Sequence, residues 1–112
     1  MKVKLNEKTI NIEARKVSEL GKYSGLMFKT RNTENLLFEF KNWKTASIHS
    51  FFVFFSFLAV WVGEKNKIVD FKIVRPFRVF TRSRKPSTKL IEIPINLKNR
   101  QILDFFVGKR KI

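Results

Sequence analysis

The chain has no cysteine, one histidine, three prolines and four glycines among its 112 residues. Without thiols there is no disulfide framework, no zinc ribbon and no thiol catalysis. The single histidine, His49, stands in an apolar run with no acid within four residues to orient its ring. A hydrogen-bonded core or rim histidine therefore fits better than a general base. The glycines, at 21, 25, 63 and 108, are too far apart to build a phosphate-cradling loop. Acids are also scarce. Glu7, Glu13, Glu19, Glu34, Glu39, Glu64, Asp70, Glu92 and Asp104 are scattered singly, without metal-site or glycosidase spacing. Glu39, Asp70 and Glu92 are the acids that folding could still bring together. The expectation is a protein that is not an enzyme and holds neither cofactor nor metal.

Against this shortage of acids stand 24 lysines and arginines, a formal net charge of +15 and an isoelectric point near 10.6. Self-repulsion of that size disfavours a compact monomer, so a polyanionic partner is expected. Nucleic acid is the first candidate, an anionic membrane surface a lesser one, and a generously lysine-coated soluble surface the bland alternative. Thirteen phenylalanines against three alanines predict a core of large flat side chains, which suits sheets better than helices. The length fits one domain, 1–112, and the opening residues lack the apolar stretch of a signal peptide, so a cytoplasmic protein is expected.

Along the chain, Val3 and Leu5 alternate with Lys2 and Lys4, and Ile10, Ile12 and Ala14 alternate with polar residues. With Asn6-Glu7 between them they predict a hairpin. A short helix is expected from Val17 to Tyr23, capped at Ser18 and ended by Gly25. Asn32 to Asn35 reads as a turn and Leu36 to Phe40 as a strand. Glu64 to Lys67 reads as another turn, Ile68 to Val74 as a strand broken by Pro76, and Leu90 to Ile93 as a strand stopped by Pro94. Ile102 to Val107 is a last apolar stretch before Gly108. Residues 46–63 carry no formal charge. Their length makes them a marginal membrane span, but Ser47, His49, Ser50 and Ser56 interrupt the run, and two buried strands bent near Ser56 fit as well.

The most conspicuous constellation runs from Phe71 to Leu90. It holds Lys72, Arg75, Arg78, Arg82, Arg84, Lys85 and Lys89 and no acid, with Phe77 and Phe80 interleaved. Arginine forks pair bidentately with phosphate, and an exposed phenylalanine stacks on an unpaired base. For the two phenylalanines themselves, burial in the core is the preferred reading. The segment 82–89 reads as a flexible basic finger that orders when bound. A second basic cluster, Lys109, Arg110 and Lys111, lies in the tail 109–112.

The order of motifs resembles the domain of unknown function 192 family in its archaeal-type form. The resemblance rests on Gly25-Leu26-Met27-Phe28-Lys29, on Leu36-Leu37-Phe38-Glu39-Phe40, and on the run from Ile48-His49-Ser50-Phe51-Phe52 to Val60-Trp61-Val62. It continues through Ile68-Val69-Asp70, Arg75-Pro76-Phe77, Leu90-Ile91-Glu92-Ile93-Pro94 and Val107-Gly108. It implies a mostly β, small β-barrel-like domain with one or two short helices, in which residues 46–63 are sheet and not a membrane span. It implies little about activity. Where the family has an Asp in the central strand pair this chain has Leu58. Where it has an Asp after the closing Gly there is Lys109, and Ile95-Asn96 stands where a Gly commonly follows the Pro. Acids replaced while bases accumulate suggest a member turned towards binding an anion.

The expected function is structural RNA binding through phosphates. Ribosomal RNA is the best candidate by analogy of composition with short, highly basic ribosomal proteins, and neighbouring ribosomal proteins are further expected contacts. The alternatives are a cytoplasmic domain of the same family binding a protein or small ligand, and a membrane-attached basic protein.

Overall fold

A computed structural model describes residues 1–17, 29–44, 47–48, 53–77 and 81–108; for 41–44, 47–48 and 81–82 the backbone alone is described. The predicted helix from Val17 to Tyr23 lies, beyond Val17, outside the described residues, as do His49, Arg78, Phe80 and the 109–112 tail.

The chain opens with the expected hairpin. Strands β1 (Lys2–Leu5) and β2 (Lys8–Asn11) pair antiparallel, Leu5 opposite Lys8. Asn6 turns the corner at φ 56°, a left-handed conformation that asparagine tolerates. Strand β3 (Arg15–Lys16), which the sequence pattern does not announce, runs parallel to β4 (Leu36–Lys44). Two residues are too few to carry a period. β5 (Ser47–Ile48) is the next short strand, followed by β6 (Phe57–Val62) and β7 (Ile68–Val74). A 3₁₀ turn over Glu64–Asn66 joins the last two, at the predicted position. β8 (Thr81–Arg82) pairs with β5, and β9 (Ser87–Pro94) follows.

Five of these strands form one sheet in the order β3-β4-β9-β6-β7. β6 lies between β9 and β7 and every one of its residues is buried, which is why this stretch reads as unbroken apolar sequence. β9 runs longer than predicted, from Ser87, so part of the anticipated basic loop is strand. Pro94 is its last residue. β4 starts at Leu36, opposite Glu92, and Pro94 therefore lies past that neighbour. The mostly β class is as expected, but the barrel is not. The sheet is open, with β3 and β7 at its edges, because the remaining described strands pair in separate two-stranded ribbons.

Each face of the sheet has its own core. Phe57, Ala59 and Trp61 of β6 join Leu36, Phe38, Val74 and Leu90 on one face, covered by Val53 and Phe55. Leu58, Val60 and Val62 join Ile91 and Ile93 on the other, beneath the hairpin's Val3 and beneath Leu103 and Phe106. The last two belong to α1 (Arg100–Val107), formed by the final apolar stretch. Its entry is set by asparagines: the Asn96 side chain accepts from the Asn99 N–H at 3.0 Å, and Asn99 Nδ2 donates to the Pro94 carbonyl at 2.8 Å. Gly108 ends the helix at φ 70°, where a glycine is unstrained. Among the described residues no helix is long and apolar enough to cross a membrane.

Candidate nucleic-acid interface

Alternation along β7 decides which charged groups turn inward. Cross-strand pairing sets Asp70 opposite Trp61 and Lys72 opposite Ala59, both on the aromatic face of the sheet. Asp70 is 3% exposed. Burial pushes its carboxyl upward, but the Arg84 backbone N–H, the Arg84 guanidinium and the Phe71 N–H outweigh that effect and hold it below its ordinary value. The three donors stand at 2.9, 3.2 and 2.9 Å from the carboxylate oxygens. Lys72 sits with its ammonium 6.0 Å from the Trp61 ring centroid, at cation–π range.

The expected basic finger is therefore anchored. Ser83 is buried and its hydroxyl donates to the Lys85 carbonyl, while Arg84 is tied to Asp70. The physical reason is that a buried carboxylate demands donors, and the turn 83–86 supplies them. The Arg84 side chain is still 79% exposed, and Lys85 and Arg75 also lie on the surface. Lys89 is part of β9 and its ammonium donates to Asn66 Oδ1 at 3.0 Å. Arg82 is in β8, opposite Ser47. Arg78, Lys109, Arg110 and Lys111 lie outside the described residues.

The fold also gathers cations that their sequence positions do not single out. A parallel bridge sets Lys4 of the hairpin beside Lys67, and Lys65 is exposed in the adjoining turn at φ 54°. With Lys89 reaching Asn66, this corner draws on three distant segments. A turn rich in lysine is the one local signal, but its pairing with the hairpin is non-local. Arg75 and Phe77 mark the other end of β7. Phe77 is 57% exposed, against the expectation of a core position, and packs edge-to-face on Phe54, equally exposed, with ring centroids 5.5 Å apart.

Glu92 behaves differently from Asp70. It lies mid-sheet between Leu36 and Ala59, 6% exposed, and desolvation alone pushes its carboxyl up to about 8. Glu39 falls on the opposite face, 3.4 Å from Lys16, so the three acids do not converge. Among the described residues no group of three His, Asp or Glu side chains is placed to hold a metal. A polar groove of about 640 Å³ lies elsewhere, where Glu13, Arg15, Glu34, Asn35 and Lys98 meet. Its mixed charges do not suit a phosphate chain.

The fold and its charges thus define a class: an open-sheet, mostly β domain with lysines gathered where β7 begins and Arg75 where it ends. Comparison with known proteins adds relatives. The chain is 31% identical over 78 residues to a UPF0127 protein of Thermococcus gammatolerans and 30% identical over 80 residues to one of Thermococcus kodakarensis. UPF0127 proteins correspond to the domain of unknown function 192 family, so these relatives support the resemblance carried by the motifs. The matches cover 68% and 70% of this chain, which spans about half the length of either relative. No family model matches. Among solved structures, a proposed transcription regulator from Sinorhizobium meliloti superposes with a TM-score of 0.72 at 13% identity, over 90% of this chain and 81% of that one. A protein of unknown function from Novosphingobium aromaticivorans gives 0.68 at 16% identity, over 91% and 71%. At such identities the likeness is one of fold.

Proposed function

We propose that the chain is a domain of the unknown-function-192 type, archaeal in form, that binds structured RNA through its phosphates as a non-enzymatic cytoplasmic component, with ribosomal RNA the first candidate. The observation that carries this reading is charge. Nine acids cannot neutralise 24 bases, and fifteen cations remain without a counter-charge in the chain. The described ion pairs already commit Glu34, Glu39 and Asp70 to Arg15, Lys16 and Arg84. Phosphates are the natural complement of such an excess, and neutralising several of them would release several counterions.

The test is the salt dependence of binding to a ribosomal RNA fragment. The logarithm of affinity should fall linearly with the logarithm of salt. Replacing Lys4, Lys65, Lys67 and Lys85 with Ser should reduce the slope by roughly 0.7–0.9 for each phosphate left without its lysine. A flat response in the unaltered protein defeats the proposal. The second reading, a small-ligand or protein-binding domain, is favoured by the groove that Asn35 lines, where the side-chain oxygen of Asn35 is buried without a hydrogen-bond donor.

A further inference from the structure

The Phe54–Phe77 pair is out of keeping with the rest of the chain. Val53, Phe55 and Phe57 are buried at 3% exposure or less, and strict alternation throws Phe54 between them to the outside. There it meets Phe77, which arrives from the far end of β7, just beyond Pro76. Phe77 has φ 61°, a left-handed conformation that a bulky side chain rarely adopts. A glycine there would release the strain; this chain has a phenylalanine instead. Edge-to-face packing engages the edge of one ring and a face of the other, and both residues keep more than half their surface in water. Exposed paired aromatics of this kind mark a contact site.

Charge selects the kind of contact. Arg75 precedes Phe77 by two residues on the surface, and the stretch from Phe71 to Leu90 contains no acid. We infer that Phe54 and Phe77 form a stacking platform for an unpaired base of single-stranded RNA, with Arg75 beside it meeting the backbone phosphate. The inference rests on the phosphate-binding reading above and sharpens it. Phosphates give affinity irrespective of strandedness, whereas stacking requires a base that is out of its duplex. A protein partner would need its own excess of acid to approach this surface.

The test compares an oligouridylate with a duplex RNA of equal length on the full chain. The unaltered protein should favour the single strand. Phe77→Gly, which also relieves the left-handed strain, and Phe54→Ser should each weaken oligouridylate binding about 5- to 150-fold, the range for removing one base–aromatic stack. Duplex affinity and the salt slope should be unchanged, because every phosphate-binding cation is kept. Phe77→Tyr should retain the binding of the parent. Thermal stability of Phe77→Gly at or above that of the parent shows that the weakening is not unfolding. Unchanged oligouridylate affinity in both variants, with a steep salt slope retained, overturns the platform and leaves the phosphate reading standing. No binding of either RNA at low salt overturns both. Weakened binding of a protein partner in these variants, with RNA affinity intact, assigns the pair to a protein interface and overturns the inference.

Discussion

Arg84 grips Asp70 twice, once with its backbone N–H at 2.9 Å and once with its guanidinium at 3.2 Å, fixing the turn after β8 onto the side of β7. The two bonds differ in consequence. The N–H belongs to the backbone of the turn and stays whatever side chain stands there, whereas the Arg84 side chain is 79% exposed.

Replacing Asp70 with Ala should therefore cost more than replacing Arg84 with Ala. The first takes the acceptor from the part-buried Arg84 and Phe71 N–H groups, at up to roughly 1–3 kcal/mol for each donor left unsatisfied. The second keeps the backbone bond and removes a solvent-screened pair, a loss below about 1 kcal/mol. Urea unfolding of the two variants checks the order. Because the folded Asp70 carboxyl is held below its ordinary 3.8, its contribution is fully present above that pH and lost as pH falls through the folded value. Asp70→Asn should flatten that acid limb of the stability curve.

Glu92 should impose the opposite slope. Its folded carboxyl is raised to about 8 from an ordinary 4.5, so between those values the folded state holds a proton that the unfolded state has released. Stability should fall as pH rises through this window, by several kcal/mol in all, and level off above it. Among the described residues, the charged groups on the same face include Lys72, across Ala59, Arg15, across Leu36, and Asp70, already satisfied by Arg84. Glu92→Gln removes the titration and should be the more stable protein at pH 8. Parallel pH profiles for the two proteins, from chemical unfolding, would contradict the burial of an uncompensated carboxyl.

Residues 53–57 should show a sharp alternation in tolerance. Phe55→Asp buries a charge at a position 3% exposed and should cost several kcal/mol, enough to unfold the domain. Phe54→Asp, on the sequence pattern alone, should do the same; in the fold its ring lies outside, and the change should alter thermal stability little. Melting temperatures of the pair decide between the two pictures.

Much of the fold is legible from near neighbours. The hairpin 2–11 shows because Val3, Leu5 and Ile10 alternate around a turn former. β7 shows because Pro76 stops it, and the polar turn at 64–67 shows in its composition, whereas the turn expected at 32–35 closes earlier, with the Thr33 N–H on the Thr30 carbonyl. The excess of base over acid is a property of composition that no fold could alter. Ile102 to Val107 is ambiguous, since a short apolar run lacks a period that separates helix from strand.

Other features escape any local reading, because register across strands depends on residues tens of positions apart while propensity depends on near neighbours. Register turned Asp70 and Glu92 inward, one onto donors and one, among the described residues, without them. It converted Arg84 and Lys89 from expected phosphate ligands into groups with partners in the chain, and it brought Lys4 to Lys67. It left the sheet open where a barrel was expected, since the hairpin and the β5–β8 ribbon pair within themselves. By alternation between two buried neighbours it also set Phe54 outside, against Phe77. Composition and local pattern alone thus specify strands, aromatics and a large positive charge. Which of those groups face water was settled by packing, because exposure belongs to the assembled sheet and not to any residue in it.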